Sequence, residues 1–229
     1  MEGFEFQVEV KRTDRRKSAS IQLDGSLVRV VVPKSLSDSR IRELISKRTT
    51  WIKTKLKERS EYPLLKSKEY VSGETFPYLG KNYRLKVVEG RNPSLKLKNG
   101  FLVATICDRK GEQKTIKMLL ENWYRRHAEV RLREKTERLA KIVGISPSSV
   151  TIKNYKSRWG SCSIKGEITY NWRIILAPHR IVDYVVVHEL CHLLEHNHSP
   201  RYWRHVESNV DDLRECRDWL KTHSRELVI

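Results

Sequence analysis

Along residues 4–12 (FEFQVEVKR), 18–23 (SASIQL) and 27–32 (LVRVVV) apolar and polar positions alternate or β-branched residues run together, so three strands are predicted there. Asp24-Gly25, between the last two, is a hairpin turn signal. After Pro33 the period lengthens: Ile41, Leu44, Ile45, Ile52 and Leu56 recur at helical spacing behind Ser37 or Ser39 as cap, predicting one helix through about residue 60. Lys47, Arg48, Lys53, Lys55 and Lys57 cover its other surface, and Trp51 stands at the edge of the apolar stripe, as a packing residue or as a face on which a base could stack. Alternation returns over residues 74–88, 95–97 and 101–104, with turns at Gly80-Lys81, around Gly90 and at Asn99-Gly100. The first half therefore reads as an antiparallel β domain carrying one helix.

Asp108 to Gly111 is polar and turn-like, and the pattern places a domain boundary there, giving a basic β-rich domain over 1–110 and a second domain over 111–229. A long helix follows to about Val143, with Ile116, Leu119, Leu120, Trp123, His127 and Val130 on one stripe and Gly144 closing it. On that stripe His127 reads as a core histidine rather than a ligand. Residues 150–155 alternate as a strand, and Trp159 to Ser163 pairs with Glu167 to Leu176 around Lys165-Gly166. Ala177-Pro178 opens a further helix, and Ser199-Pro200 opens a last one with Tyr202, Trp203, Val206, Val210 and Leu213 as its apolar face. The fold class is α+β.

Chemistry enters at His188-Glu189-Leu190-Cys191-His192, which is the H-E-x-x-H signature of zinc sites. With His188 at 0° on a helical wheel, His192 falls at about 40° and Glu189 at about 100°. Both imidazoles can then take corners of one tetrahedron around Zn²⁺, while Glu189 stands beside them as a general base rather than a ligand. Val186, Val187, Leu190, Leu193 and Leu194 lie on the opposite side, facing a core. A catalytic zinc needs a third protein ligand. His198 has the offset of the third histidine in H-E-x-x-H-x-x-G-x-x-H, with Glu195 in place of that glycine, so the helix is expected to run on to about 196 and end at a left-handed Asn197. Glu207 on the last helix is the alternative third ligand. A structural zinc would need a fourth Cys or His, and Cys191, at about 300°, is poorly aimed.

Composition narrows the classes. Of the 229 residues 38% are hydrophobic and 32% charged, and no uninterrupted apolar run is long enough to span a bilayer. The beginning MEGFEFQVEVKR lacks a signal-peptide layout. Cys107, Cys162, Cys191 and Cys216 form no C-x-x-C pair, so free thiols in a cytoplasmic protein are expected. The net charge of +18 lies mostly ahead of the His188 segment. It suits nucleic acid, nucleotide phosphates or acidic protein, or simply a solvated surface. The run Lys11-Arg12-Thr13-Asp14-Arg15-Arg16-Lys17 is the best single candidate for a phosphate contact.

Tyr155-Lys156-Ser157-Arg158-Trp159-Gly160-Ser161-Cys162-Ser163, then Asn171-Trp172-Arg173-Ile174-Ile175-Leu176-Ala177-Pro178, then Tyr184 to Trp203 resemble the YgjP-like metallopeptidases, relatives of SprT-like and other small zincins. The resemblance implies a minimal zincin domain: a backing helix (112–143), a three-stranded sheet (150–176), an active-site helix (180–196) and a closing C-terminal helix. It also implies that the sheet's edge strand lies above the zinc and pairs with an extended substrate. Trp159, Gly160, Ser161 and Cys162 resemble that edge, with Gly160 letting a substrate backbone approach and Ser161 hydrogen-bonding it; an ordinary buried strand with Trp159 in the core fits the same residues.

The leading reading is hydrolysis of a peptide bond by a zinc-activated water, with zinc on His188, His192 and His198 and Glu189 as general base. Tyr155, Tyr170, Tyr202, His205 and Arg158 are all chemically able to stabilise the oxyanion. Nucleoside triphosphate (UTP) pyrophosphatase activity, with Arg158 and Arg173 on the phosphates, is the second enzyme reading, although no Gly-rich phosphate loop is present. The third is a nucleic-acid-binding module with a structural zinc.

Overall fold

The computed structural model describes residues 3–14, 18–61, 67–108 and 111–229. The chain forms two compact units, 1–66 and 67–229.

In the first unit, β1 (Val8–Thr13), β2 (Ser20–Asp24) and β3 (Leu27–Pro33) form one sheet in the order β1-β3-β2. Val28, Val30 and Val32 alternate inward from β3 and meet Ile41, Ile45 and Ile52 in a core. The Asp24-Gly25 hairpin makes β2 antiparallel to β3, but β1 lies parallel on the other side of β3. Alternation specifies which face a strand buries, not which neighbour it takes, so this pairing was not legible. The single helix expected here is two, α1 (Asp38–Ser46) and α2 (Thr49–Glu61). At the break the Thr49 hydroxyl donates to the Ile45 carbonyl (3.1 Å), a local bond of the kind that competes with the helix backbone.

Within the basic run, Arg12 is held inside this unit, donating to the Lys34 and Leu36 carbonyls and to Asp38. Arg15, Arg16 and Lys17 lie outside the described residues. Trp51 is exposed.

The second unit begins with a four-stranded sheet, β4 (Thr75–Tyr78), β5 (Lys81–Glu89), β6 (Ser94–Lys98) and β7 (Phe101–Ile106), in the order β4-β5-β7-β6 with β5 parallel to β7. Leu79 (φ 49°) and Gly80 (φ 88°) make the tight β4–β5 turn. There a Cβ on Gly80 would stand 3.3 Å from Pro178 Cα, so the turn lies against the N-cap of the much later helix that begins at His179.

Helix α3 (Glu112–Val143) begins and ends where the pattern predicts, with left-handed Gly144 as its C-cap. Its buried Ile116, Leu120, Trp123, Tyr124, Ala128 and Leu132 share one core with Phe76, Leu85 and Leu102 of the preceding sheet and with Ile168, Tyr170, Val182 and Val186 beyond it. Both Asp108 and Gly111, where the pattern places a boundary, fall within the second unit, 67–229. His127 donates from Nδ1–H to the Trp123 carbonyl (2.8 Å) and stacks on the Trp123 ring, a satisfied histidine on a packed helix.

The last sheet consists of β8 (Ser149–Lys153), β9 (Gly160–Cys162) and β10 (Glu167–Asn171) in the order β8-β10-β9. β10 is parallel to β8 and antiparallel to β9, which leaves β9 at an edge. A 3-10 turn, Trp172–Leu176, leads into α4 (His179–Cys191), which is followed by α5 (Pro200–Glu207) and α6 (Leu213–His223). Thus the single closing helix expected from the apolar stripe is two, separated at 208–212. Among the described residues no helix is long and apolar enough to cross a membrane.

Candidate metal centre

Helix α4 ends earlier than its periodicity suggests. It stops at Cys191 with His192 as C-cap, and the next amides tighten onto nearer carbonyls, Leu193 N–H to Leu190 O (2.9 Å) and Leu194 N–H to Cys191 O (3.0 Å). Among the described residues those of positive φ outside glycine are Tyr70, Leu79 and Asn99, so Asn197 is not the left-handed stop expected of it. The tight turn takes the place of both the metzincin glycine and an extra helical turn. Ser199 then caps α5, its hydroxyl accepting from Tyr202 N–H (3.2 Å), with Pro200 in the first turn where no donor is needed.

This turn brings His198 back over the helix. His188 and His198 approach Nε2 to Nε2 at 3.3 Å. One ligating atom from each of His188, His192 and His198 lies within 4.8 Å of the others. Nitrogens about 2.0–2.1 Å from a tetrahedral ion are about 3.3 Å apart, so this spacing suits a metal between the rings. His192 Nδ1 donates to the Glu195 carbonyl (3.1 Å), which leaves Nε2 with its lone pair turned to the cluster. The Nδ1 of His188 is buried without a hydrogen-bond partner. Burial pushes the His188 imidazole down to about 3, helped by His192, His198 and Arg217, and burial also lowers His192. Neutral imidazoles are the form a metal takes. Glu207, the alternative third ligand, lies outside this cluster and lines a cleft with Arg214, Arg217 and Lys221.

Aromatic residues frame the rings. Tyr202 stacks on His192 (centroids 4.6 Å) and its hydroxyl donates to the His188 carbonyl (3.0 Å), satisfying one of the orphan acceptors at the end of α4. Trp203 stacks on His198, and the Arg217 guanidinium sits over Trp203 at 4.3 Å. Neither Tyr184, edge-on to His188, nor Arg217 was singled out from the sequence. Tyr184 sits four residues before His188, the offset that places two side chains on one helix face, and that signal was available.

Glu189 is 4% exposed. Burial raises its carboxyl to about 8, with Arg158 pulling the other way. A Cβ built on Gly160 would stand 2.4 Å from Glu189 Oε1 and 2.6 Å from its Cγ. Glycine at the start of β9 thus makes room for the glutamate itself, a closer reason than the substrate approach expected of it.

The remaining edge-strand residues fall as follows. Trp159 is half-buried against the core, and Cys162 is half-buried with its thiol pushed up to about 11 by burial and by Glu189. The Ser161 hydroxyl pairs with Tyr155 Oη at 3.0 Å. Behind the strand, Asn171 is buried and donates from Nδ2 to the carbonyls of Tyr155 (3.0 Å) and Arg158 (3.1 Å), while its amide donates to Trp159 O (2.8 Å). Of the groups considered for an oxyanion, Tyr170 is buried with its hydroxyl against Thr136 and Tyr202 is committed to the His188 carbonyl. Arg158 is close enough to act electrostatically on Glu189.

The chain is similar to two crystallised metallopeptidase zymogens. Abylysin of Pyrococcus abyssi is 25% identical over 39% of this chain and 93% of its own, with a TM-score of 0.34. Jannalysin of Methanocaldococcus jannaschii is 19% identical over 42% of this chain and 97% of its own, with a TM-score of 0.36. No curated protein matches this chain. The model of the YgjP-like metallopeptidase domain matches residues 17–223, nearly the whole length. With an H-E-x-x-H helix and three converging histidines at its centre, this chain belongs to the YgjP-like metallopeptidase family.

Proposed function

We propose that this protein is a zinc peptidase in which His188, His192 and His198 hold the ion and Glu189 is the general base. The observation that carries this reading is the meeting of three imidazole nitrogens beside one buried carboxyl. An all-nitrogen donor set of neutral imidazoles suits Zn²⁺ among the common biological cations. When bound, the ion supplies Lewis acidity, polarising a scissile carbonyl and acidifying water.

Glu189 then has a proton to move. Its carboxyl, buried beside the histidines, would take a proton from the attacking water and return it to the leaving amine. Gly160 fixes its position, since the carboxylate packs against a backbone with no side chain in the way. The free edge of β9 offers backbone groups to an extended polypeptide, which would lay a scissile bond beside Glu189.

The test is Glu189→Gln in the full chain, assayed with unfolded protein or peptide mixtures. The expected result is loss of turnover with zinc content unchanged, whereas an active variant would contradict the assigned base.

A further inference from the structure

Immediately upstream of β9 a cavity of about 350 Å³ is lined by the 155–159 loop, Asn171, Arg173 and the segment around Leu227. Lys156, Arg158 and Arg173 all line it, together with Arg225, and no Asp or Glu does among the described residues. Like charges gathered at one hollow repel, and the arrangement is relieved by an anion.

Two further observations show that the hollow is held in shape. The loop bearing Lys156 and Arg158 is pinned from behind by Asn171, whose side chain takes up the Tyr155 and Arg158 carbonyls. Arg173 is fixed by its stacking over Trp172 (5.1 Å) and its bond to Asn154 Oδ1 (2.8 Å), yet its Nε–H is buried without an acceptor. A guanidinium held in place at the wall of the hollow is suited to a carboxylate.

From this we infer that the hollow of Lys156, Arg158 and Arg173 is a specificity subsite for an acidic side chain of the polypeptide substrate. The inference rests on the peptidase reading and names the substrate class for that same site. Its location sets the register. Arg158 and Trp159 are the two residues before Gly160, which touches Glu189, so at about 3.3 Å per extended residue the acidic group falls within about three residues of the scissile bond.

The experiment uses the full-length zinc-loaded protein on a mixed peptide library, with cleavage sites mapped by mass spectrometry. Matched peptides carrying Glu or Lys at the selected position follow, with kcat/KM measured for each. The expected result is enrichment of Asp and Glu at one position within three residues of the cut, and a Glu-over-Lys preference of about tenfold or more. Lys156→Glu and, separately, Arg173→Gln should each lower that ratio severalfold, and a ratio is insensitive to the fraction of molecules folded. Cleavage with no acidic preference, or a preference unchanged in both variants, overturns the inference and leaves the peptidase reading standing. If wild-type protein holding zinc cleaves no peptide, the peptidase reading falls and the inference with it. Consumption of UTP that is lost in Lys156→Glu would mark the hollow as a phosphate site and overturn the inference as well.

Discussion

Gly160 lies against the side chain of Glu189 so closely that a single added carbon would stand 2.4 Å from Oε1. This ties the edge strand to helix α4: the residue that opens β9 walls in the carboxyl proposed as the general base. Gly160→Ala should displace the carboxylate and lower kcat/KM by about tenfold to a hundredfold. The crowding should also destabilise the fold by about 1–3 kcal/mol. Because no histidine is touched, zinc content should remain that of the wild type, and kinetics beside metal analysis checks both halves.

Asn171 supports the same strand from behind. Replacing it with Ala leaves the Tyr155 and Arg158 carbonyls without their donor and should cost about 2–3 kcal/mol in denaturant unfolding. The loop ahead of β9 should loosen first, seen as faster hydrogen exchange of 155–159 than of α3.

Tyr202 packs on His192 and donates to the His188 carbonyl, which suits a supporting role for α4. Tyr202→Phe keeps the ring on His192 but removes the donor to the His188 carbonyl, so a loss of about 1 kcal/mol in stability is expected. Turnover should survive. Activity abolished with the fold and zinc intact would instead make this hydroxyl part of the chemistry.

In the metal-stripped protein Glu189 should shape stability against pH. Its folded pKa, raised from 4.5 to about 8, means that unfolding releases a proton between those values. The stabilisation is fully present below the unfolded pKa and is lost as pH rises through the folded one. Below about pH 6.5 the depressed imidazoles of His188 and His192 act in the opposite direction, so thermal melts in chelator should decline mainly between about pH 6.5 and about pH 8, and Glu189→Gln should remove that decline.

Much of this centre was legible because a helix repeats. The 3.6-residue period alone put His188 and His192 on one face and gave α3 its full length, Glu112–Val143. His198 was reached by its spacing, yet the turn that delivers it was not, since 3-10 tightening at Leu190 and Cys191 leaves no mark in residue type. Gly160 was noticed as a place of close approach, but only the fold reveals that Glu189 is what approaches. Parallel pairs such as β5 with β7 and β8 with β10 depend on neighbours distant in sequence, and alternation is silent on those. A polar turn such as Asp108 to Gly111 looks the same between domains and inside one, so residue type alone does not place the 66/67 division.

The central claim is that three histidines, and not Glu207, grip a metal ion. Zinc per protein, measured after dialysis for wild type, His198→Ala and Glu207→Ala, tests it most directly. Close to one equivalent is expected in wild type and Glu207→Ala, and a large loss in His198→Ala. Full zinc retention without His198, or a wild type that takes up none from excess, would contradict it.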